Sequence, residues 1–159
     1  MSETQIIAES GVPQIIITRE FDAPRELVFR AYVEPDLLVR WLGPRDLTMV
    51  VDQYEPRDGG KWRYVSTDAQ GNEYGFHGVF HGDPSPDAMV QTFEFEGAAG
   101  HVALETITLH ERDGKTLARR VSSFQSVADR DGMVEAGMER GVRDGDDRLT
   151  DLLAALQGR

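Results

Sequence analysis

From residue 47 to residue 124 the apolar side chains recur at every second position, in segments of five to ten residues. Turn-forming clusters separate them: Arg57-Asp58-Gly59-Gly60, Asp68-Ala69-Gln70-Gly71-Asn72, Asp83-Pro84-Ser85-Pro86, residues 97–100 and Arg112-Asp113-Gly114. Period two sends alternate side chains to opposite faces of an extended chain, so this region predicts six half-buried strands. Loops this short cannot carry a parallel crossover, and consecutive strands must therefore pair as antiparallel hairpins. The segment QIIITREF at 14–21 predicts one more strand, pairing back onto the meander. A sheet of seven strands is thus expected, and one of its faces needs a cover.

Three-and-four spacing of apolar residues supplies that cover at the C-terminus: Val134, Met138, Val142, Leu149, Leu152, Leu153 and Leu156 mark one long amphipathic helix. Ser126 or Asp129 is its expected cap, and glycines between 132 and 137 suggest a break. Two short helices should follow the first strand. Asp22 is the expected cap of one, with Pro24 in its first turn and Leu27, Val28, Ala31 and Tyr32 on one side. The other spans residues 37–41, entered through Pro35-Asp36 and ended by Gly43-Pro44. The fold class read from the residues is α+β: a seven-stranded antiparallel sheet wrapped around a long C-terminal helix, with two short helices between strands one and two. Residues 1–13 read as a flexible N-terminal segment and 14–157 as a single domain, a monomer or a homodimer.

The long helix contains GMERGVRDG, with Gly137, Gly141 and Gly145 four residues apart. Each glycine in a helix interior costs roughly 1 kcal/mol relative to alanine. On a helical projection Gly145 falls within the apolar stripe and Gly141 at its edge, so both face the sheet or border that face. Two causes are open: direct backbone contact, or space left for a ligand. The expectation taken forward is the ligand space, with Met138 beside it.

A net charge of -11 over 159 residues repels phosphate backbones and anionic lipid surfaces, which argues against nucleic-acid and membrane partners. The longest aliphatic run near the N-terminus, Ile15-Ile16-Ile17, is too short for a signal core or a membrane span, and a cytoplasmic location is expected. The chain has no cysteine, hence no thiolate chemistry.

Aromatic residues are the clearest ligand candidates. Trp41, Trp62, Tyr64, Tyr74, Phe76, Phe80, Phe93 and Phe95 lie on segments expected to build the sheet or its mouth, although aromatics also fill ordinary cores. Glu105 shares one strand face with Ala103, Ile107 and Leu109. If that face points inward, desolvation raises its pKa and makes it a candidate general acid or ligand anchor; in the other register Leu104, Thr106 and Thr108 point inward and Glu105 is solvated.

No metal or cofactor is expected. His77 and His81 lie four residues apart on a predicted strand, about 13 Å along it, too far to chelate together. Gly59-Gly60-Lys61 lacks the first glycine and the hydroxyl residue of a phosphate loop, and Asp129-Arg130-Asp131-Gly132 lacks the spacing of a calcium loop.

Several strings carry a resemblance: Phe21-Asp22-Ala23-Pro24 with Val28-Phe29 and Ala31, then Pro35 and Arg40-Trp41-Leu42-Gly43-Pro44. After these come Arg57-Asp58-Gly59-Gly60-Lys61-Trp62-Arg63, Gly78-Val79-Phe80 and Thr92-Phe93-Glu94-Phe95-Glu96-Gly97. The last is Gly137-Met138-Glu139-Arg140-Gly141, leading to Asp147-Arg148-Leu149. From about Ile16 to Leu156 the chain resembles the activator of heat-shock-protein-90 ATPase homologues, within the superfamily of START domains and the birch pollen allergen (SRPBCC), whose shared architecture is called helix-grip. The resemblance implies a helix-grip domain whose curved sheet and long helix enclose a hydrophobic cavity for a small apolar or aromatic molecule. The ligand-binding residues expected on that basis are Trp41, Trp62, Tyr64, Phe76, Phe80, Phe93, Phe95, Glu105, Met138, Gly141 and Gly145. Some relatives of this kind catalyse cyclisation, dehydration or hydrolysis, for which Glu105 with a tyrosine or histidine is the candidate here; a chaperone contact is the third implication. Non-catalytic, or weakly catalytic, ligand binding is the leading expectation.

Overall fold

The computed structural model describes residues 2–159. Its strands are β1 (Gln5–Ile7), β2 (Gln14–Phe21), β3 (Thr48–Tyr54), β4 (Lys61–Thr67), β5 (Glu73–Val79), β6 (Ala88–Phe95), β7 (Val102–Arg112) and β8 (Lys115–Ser123). Helices α1 (Arg25–Val33) and α2 (Pro35–Leu38) fall between β2 and β3, and α3 (Val127–Glu135) and α4 (Met138–Leu156) follow β8. The sheet has eight strands in the order β1-β2-β8-β7-β6-β5-β4-β3, and its paired strands are all antiparallel. This is the meander with β2 folded back onto β8, plus one strand more than the seven expected.

The additional strand lies inside the segment read as a flexible lead-in. Its three residues pair with β2, and the polar Thr4 before it is buried, donating to Asp146 Oδ2 at 2.7 Å. So short a strand carries no periodicity that could reveal it; what fixes it is a side-chain bond to a residue 142 positions away.

The core joins α1, α2 and the C-terminal half of α4 to one face of β2, β6, β7 and β8. From the helices come Val28, Ala31, Leu37, Leu38, Leu149, Leu152 and Leu153, and from the sheet Phe21, Met89, Ile107, Leu109 and Ala118. The face carrying these residues is the inner face. Period two then places Glu105 on it with Ala103, Ile107 and Leu109, the first of the two registers left open above.

Two capping expectations differ in outcome. Ser126 caps α3 through its hydroxyl, which accepts from the Asp129 N–H at 3.1 Å. Asp22 does not cap α1: Pro24 occupies that position, and the free Arg25 N–H is taken by Glu111 Oε1 at 2.8 Å, a carboxylate from β7. The C-terminal helix does break, at Gly137, whose φ of +86° favours glycine over any L side chain. Val134, on α3, and Leu156, at the end of α4, are exposed and lie outside the core stripe.

Gly141 and Gly145 face neither open space nor the sheet. A Cβ on Gly145 would stand 3.3 Å from the Gly43 nitrogen and 3.3 Å from the Trp41 carbonyl oxygen; on Gly141 it would stand 3.4 Å from Pro44 Cδ. The expected ligand space at these glycines is therefore occupied by the loop 41–44, which presses its backbone against α4. Arg148 Nη1 donates to the Gly43 carbonyl at 3.1 Å and Asp144 accepts from the Arg45 N–H at 3.1 Å, pinning that loop to the helix.

Candidate functional site on the inner face

Beyond the helix-covered core, the inner face continues over β4, β5 and β6 as a surface of rings. Tyr64 is registered with Phe76, Phe76 with Phe95, and Trp62 with Gly78, so these positions share one face. Ring centroids run Trp62–Tyr64 5.3 Å, Tyr64–Phe76 5.2 Å, Phe76–Phe93 5.4 Å, Phe76–Phe95 5.2 Å and Trp62–Phe93 5.9 Å, a contiguous set at ordinary aromatic contact distances. Trp62 is 3% exposed, while Tyr64, Phe76, Phe93 and Phe95 are half-buried, and all five lie outside the core cluster.

Gly78 makes this surface possible. A Cβ there would come 1.9 Å from the Thr92 carbonyl oxygen and 2.6 Å from Trp62 Nε1, so the indole lies directly over the strand backbone.

The other expected ligand residues do different work. Trp41 is buried in the core, donates Nε1–H to the Ala31 carbonyl at 2.9 Å and meets Tyr32 edge-on at 4.9 Å. Phe80 is 2% exposed and packs edge-on against Tyr54 at 5.5 Å. Met138, half-buried, opens α4, while Gly141 and Gly145 meet the loop 41–44. Tyr74 donates its hydroxyl to Asp68 in the β4–β5 turn at 3.1 Å. His77 is on the outer face with Arg63 and Glu96; that carboxyl is held at about 2, first by hydrogen bonds from Arg63 and then by His77.

Where the ring surface meets the core, the inner face turns polar. Gln91, Glu105 and Ser122 occupy one cross-strand row of β6, β7 and β8, and Met89, Ile107 and Arg120 the next. Gln91 Nε2 donates to Glu105 Oε1 at 3.2 Å. Burial raises the Glu105 pKa, and the hydrogen bonds from Gln91 and Ser122 and the charge of Arg120 offset this only in part. Burial likewise raises Tyr64 and pushes Tyr32 up to about 12, with the Glu105 carboxylate adding to both. Glu105 is thus electrostatically coupled to a hydroxyl on the ring surface and to one on α1.

Arg120 and Asp146, not expected from the sequence, anchor this band. Arg120 donates through both terminal nitrogens to the two oxygens of Asp146, at 2.7 Å each, and Asp146 is 1% exposed. Thr4 also donates to Asp146 and accepts from Arg19 Nη1 at 3.0 Å; Arg19 in turn reaches Asp147 and Thr150. The available signals were period two, which puts Arg120 on the face of Ala118 and Ser122, and the position of Asp146 three residues before Leu149, on the buried side of α4. Charge alone suggested solvent.

Comparison with known proteins is consistent with this geometry. The structure superposes on that of a protein from Rhodobacter sphaeroides with a TM-score of 0.87 at 26% identity, covering 96% of this chain and 99% of that one. The solution structure of a protein from Arthrobacter aurescens gives 0.87 at 25% identity, over 95% and 91% of the two chains. A Mycobacterium smegmatis protein at 23% identity has the same fold, with a TM-score of 0.85 over 94% and 96%. No curated protein matches the chain. The family described as Activator of Hsp90 ATPase homolog 1-like protein matches residues 22–154, from the turn before α1 to within the last helix. With α4 set against the inner face of an antiparallel sheet and a match over that span, the chain belongs to the Activator of Hsp90 ATPase homolog 1-like family, in its helix-grip fold.

Proposed function

We propose that this protein binds a small apolar or aromatic molecule against the rings of β4, β5 and β6. The observation that carries the reading is the contiguous aromatic surface on the inner face, half-buried and separate from the core that stabilises the fold. Isolated aromatics are ordinary core material, but a contiguous set in which Tyr64, Phe76, Phe93 and Phe95 are half-buried and Trp62 backs them forms a surface on which a flat molecule displaces water favourably. Titration with the neutral probe N-phenyl-1-naphthylamine tests this. A saturable rise in emission is expected, with affinity lowered about fivefold or more in Phe76→Ala. An unchanged affinity in that variant, with its far-UV circular dichroism intact, refutes the location.

A catalytic reading, as cyclase, dehydratase or hydrolase, has one observation in its favour: Glu105, with a pKa raised by burial, beside that surface. Native mass spectrometry of freshly purified protein separates the readings. A single retained apolar ligand supports binding, and a substrate–product pair supports catalysis. An empty protein that is retained by the chaperone in a pulldown supports the partner role raised by the family description.

A further inference from the structure

Among the described residues, four buried side-chain polar atoms have no hydrogen-bond partner: Arg19 Nε, Tyr32 Oη, Trp62 Nε1 and Arg120 Nε. Leaving such a group unsatisfied costs about 1–3 kcal/mol, so each needs a reason. Trp62 Nε1 is turned toward the sheet, against Gly78. Arg19 spends its other nitrogens on Thr4, Asp147 and Thr150, at the α4 side of the sheet. Tyr32 Oη and Arg120 Nε differ because they lie side by side. The phenol is 8% exposed and feels the charges of Arg120, Asp146 and Glu105; the Arg120 guanidinium stands within hydrogen-bonding reach of its oxygen, but its O–H proton has no acceptor. Arg120 borders the polar row of Gln91, Glu105 and Ser122 by strand register, and Tyr32 reaches it from α1, where it feels both Arg120 and Glu105.

Resting on the binding reading above, we propose that the ligand carries a neutral oxygen acceptor, a ketone, quinone, ester or amide carbonyl, which receives the Tyr32 hydroxyl beside Arg120 while its apolar body lies on the rings. A buried hydroxyl proton without an acceptor defines what is missing. Electrostatics defines its charge. The positive charge of Arg120 is already matched by Asp146 through two 2.7 Å bonds, and Glu105 is the next ionisable side chain toward the rings. A carboxylate entering here meets two carboxyl groups and one guanidinium that is already paired, so it gains little to offset its desolvation. A carbonyl oxygen accepts the hydroxyl's hydrogen bond without that cost.

The test is a matched set displacing N-phenyl-1-naphthylamine: 2-ethylnaphthalene, 2-acetylnaphthalene and 2-naphthoate, against the native protein and Tyr32→Phe. The variant keeps the ring that packs on Trp41 and removes a hydroxyl whose proton has no acceptor, so it should fold and melt close to the native chain. The expected result has 2-acetylnaphthalene tightest and 2-naphthoate weakest at pH 7. The ratio of acetyl to ethyl affinities should then fall about fivefold in Tyr32→Phe, the weight of roughly one hydrogen bond. An equal ratio in the two proteins overturns the proposal and assigns the hydroxyl to bound water. Tightest binding of 2-naphthoate overturns the neutral-acceptor assignment. Failure of all three naphthalenes to displace the probe overturns the aromatic site itself, an outcome distinct from loss of the polar end alone.

Discussion

Replacing Gly145 by alanine sets two opposed quantities against each other, and the structure supplies the sign. Alanine in place of glycine within a helix gains roughly 1 kcal/mol from backbone propensity. The new methyl, however, would stand 3.3 Å from the Gly43 nitrogen and 3.3 Å from the Trp41 carbonyl oxygen, inside ordinary van der Waals distance of two backbone atoms. Those atoms have little freedom to retreat: Arg148 holds the Gly43 carbonyl, Asp144 holds the Arg45 N–H, and the Trp41 indole is bonded to Ala31. Overpacking a fixed contact costs about 1–3 kcal/mol, so a net loss of about 1 kcal/mol is expected. Gly141→Ala is the internal control. It collects the same propensity gain, while its methyl meets only Pro44 Cδ at 3.4 Å, an ordinary contact, so it should stabilise by about 0.5–1 kcal/mol. Urea denaturation followed by circular dichroism gives both values, and thermal melts should separate the two variants by about 3–8 °C, at roughly 2–4 °C per kcal/mol for a chain of this size. If both alanines stabilise equally, the loop yields, and close backbone contact is not why Gly145 is a glycine.

Asp146→Ala should destabilise by about 3–5 kcal/mol, because it leaves the buried Arg120 guanidinium without its counter-charge, and a urea midpoint near that of the native chain would contradict this. Gly78→Ala should cost about 3 kcal/mol or more and shift the emission of Trp62 to the red, since its Cβ would sit 1.9 Å from a carbonyl oxygen; native-like emission and stability would refute the close approach. Glu105 gives a pH test. Its folded pKa lies above the unfolded one, so the folded state holds the proton more tightly, and stability conferred in acid is lost as pH rises from the unfolded value through the folded one. Glu105→Gln should therefore be more stable than the native chain at pH 7, with the gap closing near about pH 4; a gap independent of pH would show that Glu105 titrates normally.

What could be read from the residues follows how local its cause is. Period two is imposed by each strand on itself, so strands β2 to β8 and the inner placement of Phe76, Phe93 and Phe95 are legible from spacing. The break at Gly137 and the Ser126 cap are also local. Strand β1 is not, because three residues hold no pattern and their anchor is Asp146, far along the chain. The same reason hid Arg120 and Asp146: a charged pair can enter a core only when each supplies the other's counter-charge, and a one-dimensional reading sees each separately as solvated. The glycines of α4 read as facing or bordering the sheet with ligand space beside them, whereas they meet the loop 41–44, since a loop and a ligand leave the same mark on a helical projection.

The return of β2 to β8 sets the order in which this chain can assemble. Gln14 reaches Ser123 across 109 positions, and Thr4 reaches Asp146 across 142. During synthesis, QIIITREF leaves the ribosome long before its main partner exists, carrying three consecutive isoleucines and an unfilled hydrogen-bonding edge. Strands β3 to β7 can zip hairpin by hairpin in the meantime, but the sheet closes only when β8 arrives, and the bond to Thr4 forms later still, once α4 brings Asp146 into place. Closing so long a loop before any compensating contact forms places refolding in the millisecond-to-second range of chains dominated by non-local pairings. For that interval the first long strand is the part of the molecule most exposed to pairing with a neighbouring copy.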